Sequence, residues 1–272
     1  MTARVLVFVP CYNCEPQIGR VLAQFNELPA GLFEEVLIVD NRSLDSTVDA
    51  AKAAMQHVVE PRVVLVRNEE NYGLGGSHKA AFAYAEREGF SHVVVLHGDD
   101  QGSIADLLPL MIAGDHLRTD ACLGARFMSR SRLIGYSRIR RAGNHVFNAL
   151  FSVAVAGRVH DLGSGLNIFA RSVYQGDVLF GFPDDLRFNV YLLLSLYARR
   201  LRLRFFPISW RELDQISNVK MVSQALRTLR AAVEYRLNPR AALTRDHRTH
   251  KRDQYRFEVL ATHSGGSHAG RR

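Results

Sequence analysis

The sequence predicts an α/β fold in which a mostly parallel sheet carries helices on both faces. Short apolar runs of strand length alternate with segments of helical periodicity through the first half of the chain. This alternation is typical of a doubly wound sheet, because each helix returns the chain to the same end of the sheet. Each apolar run is also followed by a polar loop. Ligands bind at the edge of a parallel sheet where such loops gather.

The elements of the first half follow from these patterns in order. Apolar runs predict the strands 4–9, 35–40, 62–66 and 92–96. The first run stops at Pro10, which cannot donate a hydrogen bond to a sheet. Apolar residues at three- and four-residue spacing predict helices over 17–28, 48–57, 77–88 and near 104–113. The second helix follows Asp45-Ser46-Thr47, residue types that cap helices, and the third ends at Gly89.

After residue 115 the alternation is less regular. Apolar runs predict further strands at 121–125, 165–170 and 201–206, and an apolar segment predicts a helix over 144–156. From about residue 236 the tail is polar, rich in His and Arg and then in Gly and Ser, a composition that does not build a core. We therefore expect one domain over residues 1–225 and a basic C-terminal extension over 226–272 that is partly disordered.

The composition limits the classes of protein to which the chain can belong. Its 272 residues are 47% hydrophobic and 23% charged, which fits a globular chain with a sizeable core. No apolar run reaches the ~20 residues that span a bilayer, and the first run is too short for a secretory signal. The chain has three cysteines, with one C-x-x-C pair and no nearby His, which argues against a zinc site or a set of disulfides. Free cysteines of this kind are typical of a protein in the reducing cytoplasm.

The formal net charge of +8 is concentrated in basic segments. Residues 126–141 hold six arginines and no acidic residue, and residues 236–272 hold nine Arg or Lys against three Asp or Glu. Such segments indicate anionic partners: nucleic acid, phosphorylated substrates or an anionic membrane surface. Solvated helix faces are the alternative interpretation. We expect no nucleic-acid binding, because no helix-turn-helix or RNP-like segment is present.

Two polar loops contain candidate nucleotide-binding residues. Asp40 ends an apolar strand, where a carboxylate commonly receives a ribose hydroxyl or a base amine, and helix capping is its alternative role. A Gly-rich stretch over 71–77 precedes a predicted helix, and its backbone amides could approach a phosphate there. The stretch lacks the spacing of a P-loop or a dinucleotide fingerprint, so a plain turn explains it equally well.

A third loop, His97-Gly98-Asp99-Asp100-Gln101, follows the fourth strand. If the chain stays extended, His97, Asp99 and Gln101 point to one side and Asp100 to the other. Polar groups that converge at a strand end suit a divalent cation with open coordination positions. A tight turn with the aspartates as caps is the alternative. We expect Asp99, and not Asp100, to be the metal ligand.

Taken in order, these motifs resemble the inverting family-2 glycosyltransferases of GT-A fold. They read Pro10-Cys11-Tyr12-Asn13, Val39-Asp40-Asn41-Arg42-Ser43-Leu44-Asp45-Ser46-Thr47, Asn71-x-Gly73-x-Gly75-Gly76 and His97-x-Asp99-x-Gln101. Later pieces are most similar to the dolichyl- and polyprenyl-phosphate sugar synthases: Gly124-Ala125-Arg126-Phe127 and Asp161-Leu162-Gly163-Ser164-Gly165-Leu166. The resemblance covers residues 4 to 225 and implies a GT-A, Rossmann-like sheet and a hexosyltransferase without transmembrane helices.

The resemblance places the nucleotide of a GDP-mannose or UDP-glucose type donor across the first two strand ends. It implies that Pro10, Tyr12 and Asn13 border the base and ribose. Asp40 would accept a hydrogen bond from them. Asn41 stands where the family usually has a second Asp, which leaves the choice of base open.

The resemblance also implies a Mg²⁺ or Mn²⁺ ion between the metal ligands and the donor phosphates. The family's D-x-D pair becomes His97-x-Asp99 here, and Gln101 matches a glutamine near the metal. His97 is then a ligand, a group that supports a ligand, or a phosphate contact, and its presence keeps a catalytically inactive relative as an alternative. Further donor-site positions carried over from the family are Gly75, Gly98, Arg211 and Lys220.

The acceptor implied by the resemblance is a polyprenyl phosphate or a glycan hydroxyl. A hydroxyl needs a base to remove its proton, and Asp161, Asp184 or Asp185 could serve, though none has the family's usual T-E-D or E-D setting. A phosphate monoester is already an anion at neutral pH and needs no base. The missing base motif and the arginines of residues 126–141 favour the phosphate, with Arg126 at the acceptor or donor phosphate.

A basic segment next to an apolar one suggests contact with a membrane. Arg138, Arg140 and Arg141 precede the apolar residues Val146, Phe147, Leu150, Phe151 and Val153. This pattern suits an interfacial helix on anionic lipid, and a core helix is the alternative. We expect a cytoplasmic enzyme, peripheral at the inner face of the membrane, with a homo-oligomer or a membrane-protein partner as possible states.

Overall fold

A computed structural model describes residues 3–212 and 221–265 of the chain. Its strands are β1 (Val5–Cys11), β2 (Glu35–Asp40), β3 (Arg62–Asn68), β4 (His92–Leu96), β5 (Ala121–Ala125), β6 (Arg132–Ile134), β7 (Leu166–Ala170), β8 (Leu203–Pro207), β9 (Ser209–Arg211) and β10 (Phe257–His263). Its helices are α1 (Glu15–Ala23), α2 (Thr47–Met55), α3 (Gly73–Arg87), α4 (Leu108–Ile112), α5 (Arg138–Ala154), α6 (Arg171–Tyr174), α7 (Phe188–Ala198), α8 (Met221–Leu237) and α9 (Pro239–Thr244).

An eight-stranded sheet forms the centre of the described chain, in the order β10-β3-β2-β1-β4-β7-β5-β8. β1 pairs in parallel with β2 and β4, β2 with β3, and β5 with β8. β7 and β10 run antiparallel to their neighbours. The mostly parallel sheet predicted from the sequence is therefore confirmed. The strand order reverses between β1 and β4, which is where ligands bind in sheets of this kind.

Two apolar cores, one on each face, hold the helices against the sheet. Along β1, Leu6 and Phe8 point into the core that α3 and α7 cover, whereas Val7 and Val9 point into the core that α1 and α2 cover. This alternation is the two-residue period of a strand, and burying each such side chain stabilises the fold by roughly 1.5–3 kcal/mol. The prediction of helices on both faces is confirmed.

The C-terminal segment joins the same sheet. β10 pairs with β3 from Phe257↔Asn68 to His263↔Val63, and α8 packs against α5 and α7. Pairing β10 with β3 satisfies backbone groups that an edge strand leaves open. In the described part of residues 226–272, where the sequence predicts a basic and partly disordered extension, α8 and β10 pack on the main body. The last residues, 266–272, lie outside the described chain.

Helix α5 is longer than the predicted 144–156 segment and presents apolar residues to solvent. Phe151 is fully buried, while Ile139, Val146 and Val153 are 85%, 59% and 72% exposed. α5 therefore has both a core side and an uncovered apolar side. No helix within the described ranges is both long enough and apolar enough to cross a bilayer.

Candidate active site

The carboxyl ends of β1, β2 and β4 meet at one edge of the sheet. Cys11 lies opposite Asp40 in the β1–β2 register, and the Asn41 N–H donates to the Cys11 carbonyl at 2.9 Å. The Gly98 N–H donates to the Pro10 carbonyl at 3.1 Å, which brings the loop after β4 against the end of β1. A Cβ on Gly98 would lie 2.5 Å from the Cys11 sulfur, so only glycine allows this approach.

A cavity of ≈ 340 Å³ opens at this edge. Six residues predicted for the site line it: Pro10, Tyr12, Asn41, His97, Gly98 and Asp99. The Gly-rich stretch 71–77 contributes Asn71, Gly73, Leu74 and Ser77 to the lining, and the other lining residues are Cys11, Cys14 and Leu186. A larger cavity of ≈ 670 Å³ lies between α3 and β10, but its described lining includes none of the predicted site residues. The strand-end cavity is therefore the candidate active site.

The chain turns sharply in the loop after β4. The strand ends at Leu96, and Asp100 has a left-handed φ of 57°. The extended conformation that would align His97, Asp99 and Gln101 does not persist, so the prediction that all three share one side is corrected. His97 and Asp99 line the cavity and Gln101 does not. The backbone N–H of Gln101 instead donates to Asp99 Oδ1 at 3.2 Å.

Asp100 points away from the cavity into a cluster of donors. It accepts hydrogen bonds from Arg20 Nε at 2.7 Å and Gln24 Nε2 at 3.1 Å, and Arg211 Nη2 lies 3.4 Å away. Because Asp100 is only 6% exposed, these donors offset the cost of burying its charge. Arg211, predicted to reach the donor phosphates, is thus placed beside Asp100. Lys220 lies outside the described residues.

His97 and Asp99 are the described cavity residues suited to a divalent cation. His97 Nε2 is buried and has no hydrogen-bond partner among the described residues. Burial lowers the pKa of His97, while the charge of Asp99 raises it and that of Arg126 lowers it, which leaves a neutral imidazole able to bind a metal. The described ranges contain no cluster of three or more His, Cys, Asp or Glu side chains that could bind a metal ion with protein ligands alone. The residues fit a metal that takes its other ligands from a bound phosphate and water.

Two residues predicted to contact the base and ribose are engaged in loop structure. Asp40 is fully buried, where Oδ2 accepts from Arg67 Nε at 2.8 Å and Oδ1 accepts from the Ser43 N–H at 3.1 Å. Asn13, with a left-handed φ of 55°, accepts from the Leu44 N–H at 2.8 Å. Neither side chain lines the cavity, and both shape the loops that do.

Asn41 lies in the cavity wall at the centre of an amide network. Its Nδ2 donates to Asn71 Oδ1 at 2.8 Å, and its Oδ1 accepts from Asn68 Nδ2 at 2.9 Å and from the Tyr72 N–H at 2.8 Å. Asn71 Oδ1 also accepts from the Gly73 N–H at 3.0 Å, so this oxygen faces Asn41 as an acceptor. An aspartate at position 41 would place a carboxylate oxygen, which cannot donate, against the Asn71 oxygen in place of the Asn41 amide. The network accounts for asparagine at this position.

Gly75 supports the loop that closes one side of the cavity. Its N–H donates to the Asp184 carbonyl at 2.7 Å, and a Cβ there would lie 2.4 Å from the Pro183 carbonyl oxygen. This close approach brings Leu186 into the cavity wall. Gly75 therefore positions a wall of the site through packing, and its amide is occupied by protein.

The two neighbouring aspartates of this loop differ in accessibility. The Asp184 side chain is 11% exposed, and its Oδ1 accepts from Lys79 Nζ at 2.7 Å and from the Tyr255 hydroxyl at 2.6 Å. Asp185 is 41% exposed and pairs with Arg187 Nη2 at 2.9 Å. Of the two, only Asp185 can meet a substrate without breaking the core.

Arg126 and Asp161 form a buried ion pair near His97. Arg126 donates to Asp161 through its backbone N–H at 2.9 Å, Nε at 2.8 Å and Nη2 at 2.8 Å. Its guanidinium also lies over the Trp210 and Tyr136 rings. Burial would lower the pKa of Arg126, but the charge and hydrogen bonds of Asp161 raise it above the ordinary value. Asp161, one of the candidates for a base, is thus engaged as the partner of Arg126 in this structure.

Comparisons with known proteins agree with this fold. The family model Glycosyl transferase family 2 matches residues 6–176. The chain is 23% identical to the dolichyl-phosphate beta-glucosyltransferase of Saccharomyces cerevisiae over 76% of its own length and 67% of that protein. It is 26% identical to the glycosyltransferase AglJ of Haloferax volcanii, over 62% of this chain and 51% of that one.

Solved structures show the same fold. The glucosyl-3-phosphoglycerate synthase of Mycobacterium tuberculosis, crystallised with Mn²⁺, uridine-diphosphate and phosphoglyceric acid, superimposes with a TM-score of 0.57. The match covers 87% of this chain and 79% of that one, at 16% identity. The GT-A fold expected from the resemblance is therefore confirmed. With most of its sheet and most of the residues that line the strand-end cavity inside the matched segment, the chain belongs to glycosyl transferase family 2 and is a glycosyltransferase.

Proposed function

We propose that this enzyme transfers a hexose, with inversion, from a nucleotide-diphosphate sugar to polyprenyl phosphate, using Mg²⁺ or Mn²⁺. One observation carries the proposal: His97 and Asp99 line the same cavity at the switch point between β1 and β4, and the buried Nε2 of His97 has no hydrogen-bond partner in the described part of the chain. Neutral nitrogen and carboxylate oxygen are donors that a divalent ion accepts alongside phosphate oxygens. The donor diphosphate then lies across the loop after β4.

The rest of the cavity suits the nucleoside. Tyr12 is 42% exposed at the rim and can pack on a base or ribose, and Asn41 adds an amide to the wall. The mycobacterial structural relative was crystallised with uridine-diphosphate and Mn²⁺, which supports the same donor class here. The Asn41 amide already makes hydrogen bonds to neighbouring protein groups. The choice between uracil and guanine therefore depends on groups at the rim of the cavity.

The chemistry depends on managing negative charge. Breaking the sugar–phosphate bond leaves a nucleoside diphosphate, and the metal supplies positive charge to that leaving group when bound. Arg126, held rigidly by Asp161 and close to His97, adds a fixed positive charge behind the site. A fixed charge needs no reorganisation during the reaction, which is why the pairing with Asp161 matters.

A phosphate acceptor fits the acidic residues around the cavity. Asp161 is bound to Arg126 and Asp184 to Lys79, which leaves Asp185 as the one accessible carboxylate among the three candidates for a base. A phosphate monoester requires no base. The yeast relative is named for transfer to dolichyl phosphate, and the mycobacterial one was crystallised with phosphoglyceric acid, so both supporting comparisons involve phosphate-bearing compounds.

Peripheral attachment to the inner face of an anionic membrane completes the proposal. Helix α5 begins with the exposed Arg138, Arg140 and Arg141 and exposes the apolar residues Ile139, Val146, Leu150 and Val153. Basic and apolar side chains exposed on one helix suit the boundary between lipid headgroups and acyl chains. Replacing Ile139 and Val153 with Asp should reduce sedimentation with phosphatidylglycerol vesicles and leave transfer to a detergent-dispersed acceptor intact.

The test is a screen of GDP- and UDP-sugars with Mn²⁺ or Mg²⁺ in the presence of polyprenyl phosphate, with mass spectrometry of the lipid product. The proposal predicts one donor that gives a hexosyl-phospholipid and release of the nucleoside diphosphate. Absence of both products with every donor and metal contradicts it.

Transfer to a glycan hydroxyl is the second candidate, and the exposure of Asp185 is the observation that favours it. Replacing Asp185 with Asn separates the two. A hydroxyl acceptor requires the carboxylate, so turnover should fall by about 10²–10⁴-fold with donor binding unchanged. A phosphate acceptor predicts little change in turnover.

A further inference from the structure

A basic groove of ≈ 380 Å³ lies outside the active-site cavity. It runs between α7, α8 and the residues that follow α9. The loop that contributes Leu186 to the active-site cavity contributes its next residue, Arg187, to this groove. The same loop therefore contributes to both cavities.

Arginines dominate the lining of the groove: Arg187, Arg227, Arg230, Arg245 and Arg248. Glu234 and Asp246 are the carboxylates in that lining, and they pair with Arg230 at 2.7 Å and with Arg248 at 2.8 Å. The lining thus keeps an excess of positive charge. Arg227 and Arg245 are both exposed, which leaves their guanidinium groups accessible to a ligand.

Tyr191 lies in the lining of the groove together with these arginines. Burial raises the pKa of the Tyr191 hydroxyl, the charge of Glu234 raises it further, and the charges of Arg187, Arg230 and Arg245 lower it. Three guanidinium groups from three different segments thus act on one hydroxyl. The Tyr191 ring also packs on His247, with centroids 4.3 Å apart, which gives the groove a firm aromatic floor.

We propose that this groove binds a phosphate group, as a monoester or diphosphate, at a site separate from the sugar-donor cavity. Guanidinium forks match phosphate oxygens in geometry and charge, and Arg227 and Arg245 provide two that a ligand can reach. The hydroxyl of Tyr191 adds a neutral donor. This inference does not rest on the proposed transfer reaction, because it concerns a different surface and requires no sugar donor.

Arg187 connects the groove to the loop beside the active site, because it lines the groove and pairs with Asp185 of that loop. Its Nε donates to both oxygens of Asp185, at 2.9 and 3.0 Å. A phosphate in the groove competes for that guanidinium and loosens its hold on the loop that contributes to both cavities. A ligand carrying this phosphate could be a soluble metabolite or a lipid headgroup, since the shared chemistry is the phosphate.

The experiment measures binding of two probes without any nucleotide sugar. One is glycerol 3-phosphate, followed by calorimetry. The other is phosphatidylcholine vesicles with and without phosphatidic acid, followed by cosedimentation. The groove variant is Arg227→Gln with Arg245→Gln. The matched control is Arg236→Gln with Arg240→Gln, which removes the same charge from exposed positions on α8 and α9 outside the groove.

The groove variant should bind on the order of 10- to 100-fold more weakly than the wild type and the control, as expected for losing two charge-assisted contacts. Binding of glycerol 3-phosphate indicates a soluble ligand, and binding restricted to phosphatidic-acid vesicles indicates a lipid headgroup. Equal weakening in both variants, unchanged binding in the groove variant, or no binding of either probe overturns the proposal.

A second measurement uses the unmodified protein in case a variant unfolds. A dicarbonyl reagent that modifies arginine is applied with and without the probe that binds, and the modified residues are mapped by mass spectrometry. The proposal predicts protection of Arg227 and Arg245 but not of Arg236. Equal modification of all three with the probe present contradicts it.

Discussion

Replacing Asp161 with Asn should cost far more stability than breaking an exposed ion pair of similar geometry. The Asp161 and Arg126 side chains are 1% and 13% exposed, and three Arg126 donors reach the carboxylate within 2.9 Å. Removing one partner of a buried pair leaves the other charge uncompensated, which costs about 3–5 kcal/mol. Because asparagine keeps one acceptor oxygen, we expect a loss of about 3 kcal/mol in the free energy of unfolding.

The chain contains a matched comparison in Arg4 and Glu34. Arg4 Nε and Nη2 donate to the two Glu34 oxygens at 2.8 and 2.7 Å, but both side chains are 46% exposed. Solvent screens this pair, so Glu34→Gln should cost under about 1 kcal/mol. Urea unfolding at neutral pH, followed by circular dichroism, measures both variants.

Adding Arg126→Met to Asp161→Asn should recover part of the loss, since the uncompensated guanidinium is its main source. Equal losses in Asp161→Asn and Glu34→Gln would refute the argument from burial. A double variant less stable than Asp161→Asn alone would refute the argument from the unpaired charge.

Three other predictions test separate parts of the fold and site. The folded pKa of Lys79, about 8, lies below its ordinary 10.5 because of burial, so the unfolded chain binds more protons between these values. The stability of the wild type relative to Lys79→Met should therefore rise by on the order of 2 kcal/mol from about pH 8 to pH 10 in urea titrations, and a fall would contradict this sign. Gly98→Ala should weaken nucleoside diphosphate binding by about tenfold or more in calorimetry, because the added Cβ would collide with the end of β1. The control Gly143→Ala, whose Cβ would meet nothing within 4 Å, should bind the nucleoside diphosphate normally. Asn41→Asp should lose about 1–3 kcal/mol of unfolding free energy by opposing the oxygen of Asn71, and an unchanged urea midpoint would argue against the amide network.

The strands next to the site could be predicted closely from the sequence. The runs 35–40, 92–96 and 121–125 have the same bounds in β2, β4 and β5. Each is buried on both faces, so a continuous apolar run marks its whole length. The loops that line the cavity could be predicted as well, because the loops after parallel strands must share one edge of the sheet.

Other parts depend on contacts that no local pattern carries. Helix α7 is apolar on nearly all sides because it is buried, so it lacks the helical period that marks α1 or α2. β10 is an edge strand with a bulge at its middle, and it pairs with a strand far away along the chain, as in Phe257↔Asn68. The turn at Asp100 broke the two-residue period of the strand before it.

Side-chain roles were harder to predict than the loops that carry them. Asp161 and Asp184 each looked available for catalysis in the sequence. Their partners Arg126 and Lys79 lie 35 and 105 residues away along the chain. Only the folded structure shows that both carboxylates are already engaged, and the same holds for Asp40 with Arg67.

The most direct test of the central claim compares Mn²⁺-dependent nucleotide binding by variants at the neighbouring positions Asp99 and Asp100. Calorimetry with UDP and GDP, with and without Mn²⁺, would be run on the wild type, Asp99→Asn and Asp100→Asn. Asp99 lines the cavity together with His97, whose Nε2 has no hydrogen-bond partner within residues 3–212 and 221–265, whereas Asp100 is buried against Arg20 and Gln24. We predict that Asp99→Asn abolishes the gain in affinity from Mn²⁺, and that Asp100→Asn keeps this gain but melts at a lower temperature. Loss of the Mn²⁺ effect in Asp100→Asn, with Asp99→Asn unaffected, would contradict the account.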